Sequence, residues 1–121
     1  MKTSLLLSSL ILLPFIAARA DQIVLVAGGT QDAVDIPATE ARLYEPFGAE
    51  FDSGGHLWIV EMVSGNRLLQ VDGGGRISHI AGQKEAGFSG DGGPALRAQF
   101  NGPHNFAILP DDSLLIGDTW N

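Results

Sequence analysis

Pro37-Ala38-Thr39-Glu40-Ala41-Arg42-Leu43 returns 57 residues later as Pro94-Ala95-Leu96-Arg97-Ala98-Gln99-Phe100. The same offset then relates Pro46 to Pro103, Leu57 to Leu114, Ile59 to Ile116 and Glu61 to Asp118. A repeat of this length is one supersecondary unit that cannot bury its apolar face alone and must stack on its neighbours. The unit is rich in glycine and in strand formers, so the stack is a β array. The chain holds about one and a half units of it, which is the expectation if it is part of a longer protein.

Outward from that repeat, the strands follow from short apolar runs between turn residues. Ile23-Val24-Leu25-Val26-Ala27 is β-branched and ends at Gly28-Gly29, which predicts a strand. Pro37 to Leu43 predicts one helical turn, with proline at its first position. Strands are then expected over Phe47–Phe51, His56–Glu61, Arg67–Val71 and Arg76–Ala81. They are separated by Asp52-Ser53-Gly54-Gly55, Ser64-Gly65-Asn66 and Asp72-Gly73-Gly74-Gly75, where Asp can bond its own backbone and Gly can take positive φ. The second unit supplies His104–Ile108 and Ser113–Asp118 around the turn Leu109-Pro110-Asp111-Asp112. Four antiparallel strands at spacings of about ten residues form a meander with two faces to cover, and radial packing of such sheets covers both.

Composition sets the compartment. Lys2 precedes an apolar stretch, Leu5 to Ala18, and Ala18-Arg19-Ala20 fits the small-x-small cleavage rule. Residues 1–20 therefore read as a signal peptide cut near Ala20, and the mature chain as secreted or periplasmic. That fourteen-residue stretch, broken by Ser8, Ser9 and Pro14, falls short of the roughly 20 that span a bilayer, so no stable membrane span is expected. The chain has no cysteine and hence no disulfide framework. From Asp21 onward it carries five basic and fourteen acidic residues, a formal net charge of −9. Such a surface repels phosphate backbones, which argues against nucleic acid and leaves a protein or small molecule as partner.

At these residues the chain resembles the NHL-repeat β-propellers. The pattern is carried by Pro46-Phe47-Gly48, Phe51-Asp52-Ser53-Gly54, Leu57-Trp58-Ile59-Val60-Glu61, Asn66-Arg67-Leu68 and Ile80-Ala81-Gly82. It recurs at Gly102-Pro103-His104-Asn105, Pro110-Asp111-Asp112, Leu114-Leu115-Ile116-Gly117-Asp118 and Asn121. The first unit departs from it, with Glu61 where aspartate is usual and a longer turn before Asn66. The resemblance implies an all-β propeller of four-stranded blades, with a first repeat over about 44–82, a glycine-rich crossover over 83–101 and a second repeat from 102. It also implies that Ile23–Ala27 is the outermost strand of a final blade, donated by the N-terminus to close the ring.

Candidate chemistry is sparse. Gly87 to Gly93 lacks the Lys-Ser/Thr of a phosphate loop, having Pro94-Ala95 instead, and offers only Asp91 and Ser89 toward a calcium loop. Its reading is a crossover between blades. His104 opens an inner strand, and by the resemblance inner strands line the central channel. His104, Asn105 and, from the first unit, Glu50 are the candidate ligand or channel-lining residues, with Asn105 expected on the opposite side from His104 in a regular strand. Phe47 occupies the position equivalent to His104. His56 and His79 read as surface residues, and Glu61 and Asp118 as caps on the turns that follow them. Trp58 and Trp120 read as packing or rim residues.

Two functions fit. One is an exported binding or scaffold propeller. The other, implied by the resemblance, is a metal-dependent propeller enzyme of lactonase or amidating-lyase type, holding Ca2+ or Zn2+ with ligands from further blades. No Ser/His/Asp set, Cys/His cluster or basic-aromatic pattern is present to choose an enzyme outright.

Overall fold

The computed structural model describes residues 22–121, so the expected signal peptide and its cleavage near Ala20 lie outside the described residues. Seven strands occur: β1 (Ile36–Pro37), β2 (Pro46–Phe51), β3 (Leu57–Glu61), β4 (Arg67–Val71), β5 (Arg76–Ala81), β6 (Pro103–Ile108) and β7 (Leu114–Asp118). The first five form one antiparallel sheet in the order β1-β5-β4-β3-β2, and β6 pairs with β7 in a second. The chain is thus all-β and of propeller type, one full blade plus half of the next. Among the described residues no helix is long and apolar enough to cross a membrane.

The turns are made as the sequence dictates. Asp52 Oδ1 accepts from the amides of Gly54 and His56, and Asp72 Oδ1 from those of Gly74 and Arg76. The carboxylate stands in for a backbone acceptor, and Gly55 and Gly75 close each turn at φ +81° and +78°, where a side chain would be strained.

Alternation sorts β3 between the two faces of the blade. Leu57 and Ile59 join Leu69, Val71 and Ile77 under a lid formed by Ala38, Ala41 and Leu43. Trp58 and Val60 join Leu68 and Ala81 on the other face and meet Phe106, Ile108, Leu114 and Ile116 of the second unit. The inter-blade core therefore depends on the period-2 pattern, and each fully buried side chain in it contributes about 1.5–3 kcal/mol.

Two expectations fail for identifiable reasons. Ile23–Ala27 is not a strand; Ile23, Val24, Leu25 and Val26 are exposed and unpaired. A strand is defined by partners, and the sheet ends at β1 and β2. The equivalence is still visible at the segment's end: Gly28 N–H donates to Ala38 O (2.9 Å) as Gly82 N–H donates to Ala95 O (3.1 Å). Pro37–Leu43 does not make the expected helical turn either. Pro37 is extended against Arg76, Ala38 N–H donates to Gly75 O, and only the Glu40-to-Pro37 bond curls the chain. Its copy does tighten into a 3-10 turn over Ala95–Arg97. β1 is the consequence: it adds a fifth strand to the expected four.

Candidate functional site

The inner edge of the two units is formed by β2 and β6, which pack against each other. Each strand carries a bulge at the same place. The register slips between Pro46 and Gly48 in one and between Pro103 and Asn105 in the other. The bulged residues are Phe47 and His104, 57 apart. A bulge leaves one residue out of the ladder and re-aims its side chain, and here the two side chains turn onto each other. Their ring centroids are 4.6 Å apart at an interplanar angle of 69°. Trp120 stands edge-on to the other side of His104, at 6.3 Å.

His104 Nδ1 lies 2.8 Å from Thr119 Oγ1, which fixes the ring. The imidazole is half-buried, with its Nε2 side not engaged by any described hydrogen bond. Trp120 is held in turn because Gly102 leaves room for it; a Cβ at Gly102 would come within 2.3 Å of the indole. Asn105 does not simply oppose His104, because the bulge breaks the alternation that expectation assumed. Its Oδ1 accepts from the Phe106 amide at 2.9 Å, and it sits beside Gly48, whose hypothetical Cβ would lie 3.1 Å from that oxygen. Glu50 lies further along β2, exposed and opposite Trp58. The fold thus gathers His104, Phe47 and Trp120 at one end of the inner edge, with Asn105 adjoining and Glu50 nearer the other end. Phe47 and Thr119 were not legible as partners of His104. The signal that could have pointed to Phe47 is its position in the repeat; nothing marks Thr119.

The strand-end carboxylates do cap, but in the opposite direction from the expectation. Glu61 Oε1 accepts from the Tyr44 amide at 2.8 Å, and Asp118 Oδ1 from the Asn101 amide at 2.7 Å. Both donors belong to the segment that precedes each blade. Glu61 is fully buried, and its Oε2 also receives Arg67 Nε (2.8 Å) and Nη2 (2.7 Å). Asn66, equally buried, joins the units by donating to Val63 O and Lys84 O and accepting from the Gly102 amide. His79 is likewise not a free surface residue; its Nε2 lies 2.8 Å from Gly82 O and 3.1 Å from Ala81 O.

At the opposite end, Asp52 organises the β2–β3 turn. Its Oδ2 lies 2.9 Å from both Trp58 Nε1 and His56 Nδ1. The Trp58 indole donor, helped by the His56 amide and ring, holds the Asp52 carboxyl down at about 2. Asp52 is thus ionised at neutral pH, where it orients Trp58 into the inter-blade core, and His56 is tied down by it.

No family model matches the chain. It is similar to teneurin-1 of Gallus gallus, at 39% identity over a 66-residue alignment that takes in 46% of this chain. It is also similar to a crystal structure of a structural genomics protein of unknown function from Bacteroides thetaiotaomicron VPI-5482. There the identity is 30% and the TM-score 0.68, over 78% of this chain. The chain spans 2% of the length of the former and 24% of the latter.

Proposed function

We propose that the chain is part of an exported NHL-repeat propeller that acts as a binding or scaffold module, engaging its ligand at the inner edge through His104. The observation that carries this reading is the bulge shared by β2 and β6. The blade architecture alone does not call for a polar ring there, since the first unit fills the same position with Phe47. A histidine held between Phe47 and Trp120, oriented by Thr119, is pre-organised for contact without loss of rotamer freedom. Asn105 adds an exposed amide beside it, and Glu50 a carboxylate on the same strand system as the channel-lining candidate of the first unit. The likeness to teneurin-1 and to the bacterial structure supports a repeat protein that presents such surfaces. The acidic balance and apolar leader support export and a protein or small-molecule partner.

The absence of cysteine makes a direct test simple. The chain is expressed with its leader as His104→Cys and, as a control on the opposite end, Ser53→Cys, each carrying a photo-crosslinker. A discrete adduct formed in the exported fraction at position 104 and not at position 53 is the expected result. Equal labelling at both positions, or retention of the chain in the cytoplasm, overturns the reading. Metal analysis of the same material covers the enzyme alternative: stoichiometric Ca2+ or Zn2+ lost on His104→Ala would replace the scaffold reading.

A further inference from the structure

A second site lies away from the inner edge, on the end of the blade that carries Tyr44 and the start of β4. A cavity of about 230 Å³ is lined by Asp32, Val34, Arg42, Tyr44, Arg67 and Lys84. Three of the five basic residues between Asp21 and Asn121 meet there, in a stretch whose formal net charge is −9. Tyr44 gathers two of them on one ring: Lys84 Nζ is 4.4 Å from its centroid and Arg67 Cζ is 5.6 Å. Bringing cations together costs electrostatic energy unless anions offset it. Two carboxylates are present. Glu61 neutralises Arg67, and Asp32 lies 3.4 Å from Arg42 while accepting the Tyr44 hydroxyl. Lys84 has no carboxylate within 4.0 Å among the described residues. The cavity therefore keeps one uncompensated positive charge.

The repeat provides an internal control. At the 57-residue offset Arg42 becomes Gln99, which is neutral and bonds Ser89 Oγ at 2.8 Å. Tyr44 becomes Asn101, and that residue's amide still reaches its strand-end carboxylate. At both of these equivalent positions the second unit carries a neutral, non-aromatic residue. The Arg42 charge and the Tyr44 ring are therefore not what the repeat requires at those positions.

We propose that this cavity binds a small organic carboxylate. Lys84 supplies the point charge, the Arg67 and Arg42 guanidinium groups supply further donors, and Val34 supplies an apolar wall for the body of the ligand. Asp32 beside the cations sets the charge selectivity: one negative charge is matched, whereas a phosphate dianion meets repulsion.

The test titrates the chain with sodium glucuronate at constant ionic strength and follows the backbone amide resonances of Tyr44 and Lys84. Glucose serves as the uncharged control and inorganic phosphate as the dianion. Glucuronate is expected to shift both resonances saturably, glucose not at all and phosphate more weakly. Lys84→Met should weaken glucuronate at least about tenfold, while Lys84→Arg should retain it. The double variant Asp32→Ser/Arg42→Gln removes an exposed ion pair, which contributes little to stability, so it should keep its urea midpoint and still lose most of the binding. No saturable shift with glucuronate, tighter binding of phosphate, or unchanged binding in Lys84→Met and the double variant would each overturn the assignment. None of these outcomes depends on what His104 contacts.

Discussion

Glu61→Gln is the perturbation that most directly probes how the first blade is held. Glu61 is completely buried and accepts two hydrogen bonds, from the Tyr44 amide and Arg67 Nε, both at 2.8 Å, while Arg67 Nη2 makes an ion-pair contact at 2.7 Å. The amide has nearly the same volume, so packing is kept while the negative charge is lost. Arg67 is then a cation with 17% of its side chain exposed and no counter-charge in contact. The introduced glutamine turns its carboxamide NH2 toward a donor, either the Tyr44 amide or Arg67 Nε, so at least one buried bond is unmade. Breaking a buried ion pair from one side costs about 3–5 kcal/mol, because the surviving charge is left unpaired. With a urea dependence of about 1.5 kcal/mol per molar for a chain of this size, the midpoint should fall by roughly 2 M or more. Glu61→Asp keeps the charge and should fall far less, since Asp118 performs the same capping with the shorter side chain. Arg67→Met in the Glu61→Gln background should recover part of the loss, because it removes the orphaned cation. A Glu61→Gln midpoint within about 0.5 M of the parent, or no recovery in the double variant, would refute the view that this buried pair clamps the blade to its preceding segment.

Three further outcomes are expected. Phe106→Ala removes a ring that the second unit buries between the blades, at 6% exposure; it should cost about 3–5 kcal/mol in urea unfolding, and a loss below about 1 kcal/mol would mean the two units are not packed through it. The Asp52 carboxyl is held at about 2 in the fold against about 3.9 in an unfolded chain, so its contribution is complete above about pH 4 and is lost as pH falls through 2. Asp52→Asn should therefore be less stable at neutral pH and show a flatter stability profile between pH 4 and 2, and parallel profiles would contradict the assignment. Tyr44 is the chain's single tyrosine, so its ionisation is readable by ultraviolet absorbance. Its hydrogen bond to Asp32 raises it above 10, so the stability it contributes is full below about pH 10 and lost as pH rises through the native value. Asp32→Asn should move the midpoint back toward 10, and an unmoved midpoint would place the cause elsewhere.

The strands that could be read from sequence are those whose partners are also local in sequence. Arg67–Val71 and Arg76–Ala81 lie where their apolar alternation and the Asp72–Gly75 turn put them, because a four-residue turn fixes both register and partner at once. Ile23–Ala27 has as strong a β pattern as either, and it is not a strand. Its residues lack a neighbour to bond, and propensity cannot supply one. Gly28, which follows the segment, still bonds Ala38 as Gly82 bonds Ala95, so the sequence equivalence was sound even though pairing did not follow.

The candidate sites fall on the far side of the same line. His104 was legible as the opening of an inner strand, yet its contacts are decided by a bulge, and a bulge is a mismatch between two strands that neither strand's pattern records. From sequence Phe47 is only the residue equivalent to His104, whereas the fold places it against His104 as a packing partner. The carboxylate corner was less legible still: its residues come from 32–44, 67 and 84, segments joined only by the return of β5 to the outer edge. What the sequence does hold is the comparison between units. Positions where the two copies agree, such as Glu61 and Asp118 on the preceding amide, build the blade. Positions where they differ while their backbone makes the same contact, as Arg42 on Gln31 and Gln99 on Ser89 do, are free of that duty, and there a charge has to be explained by something other than the fold.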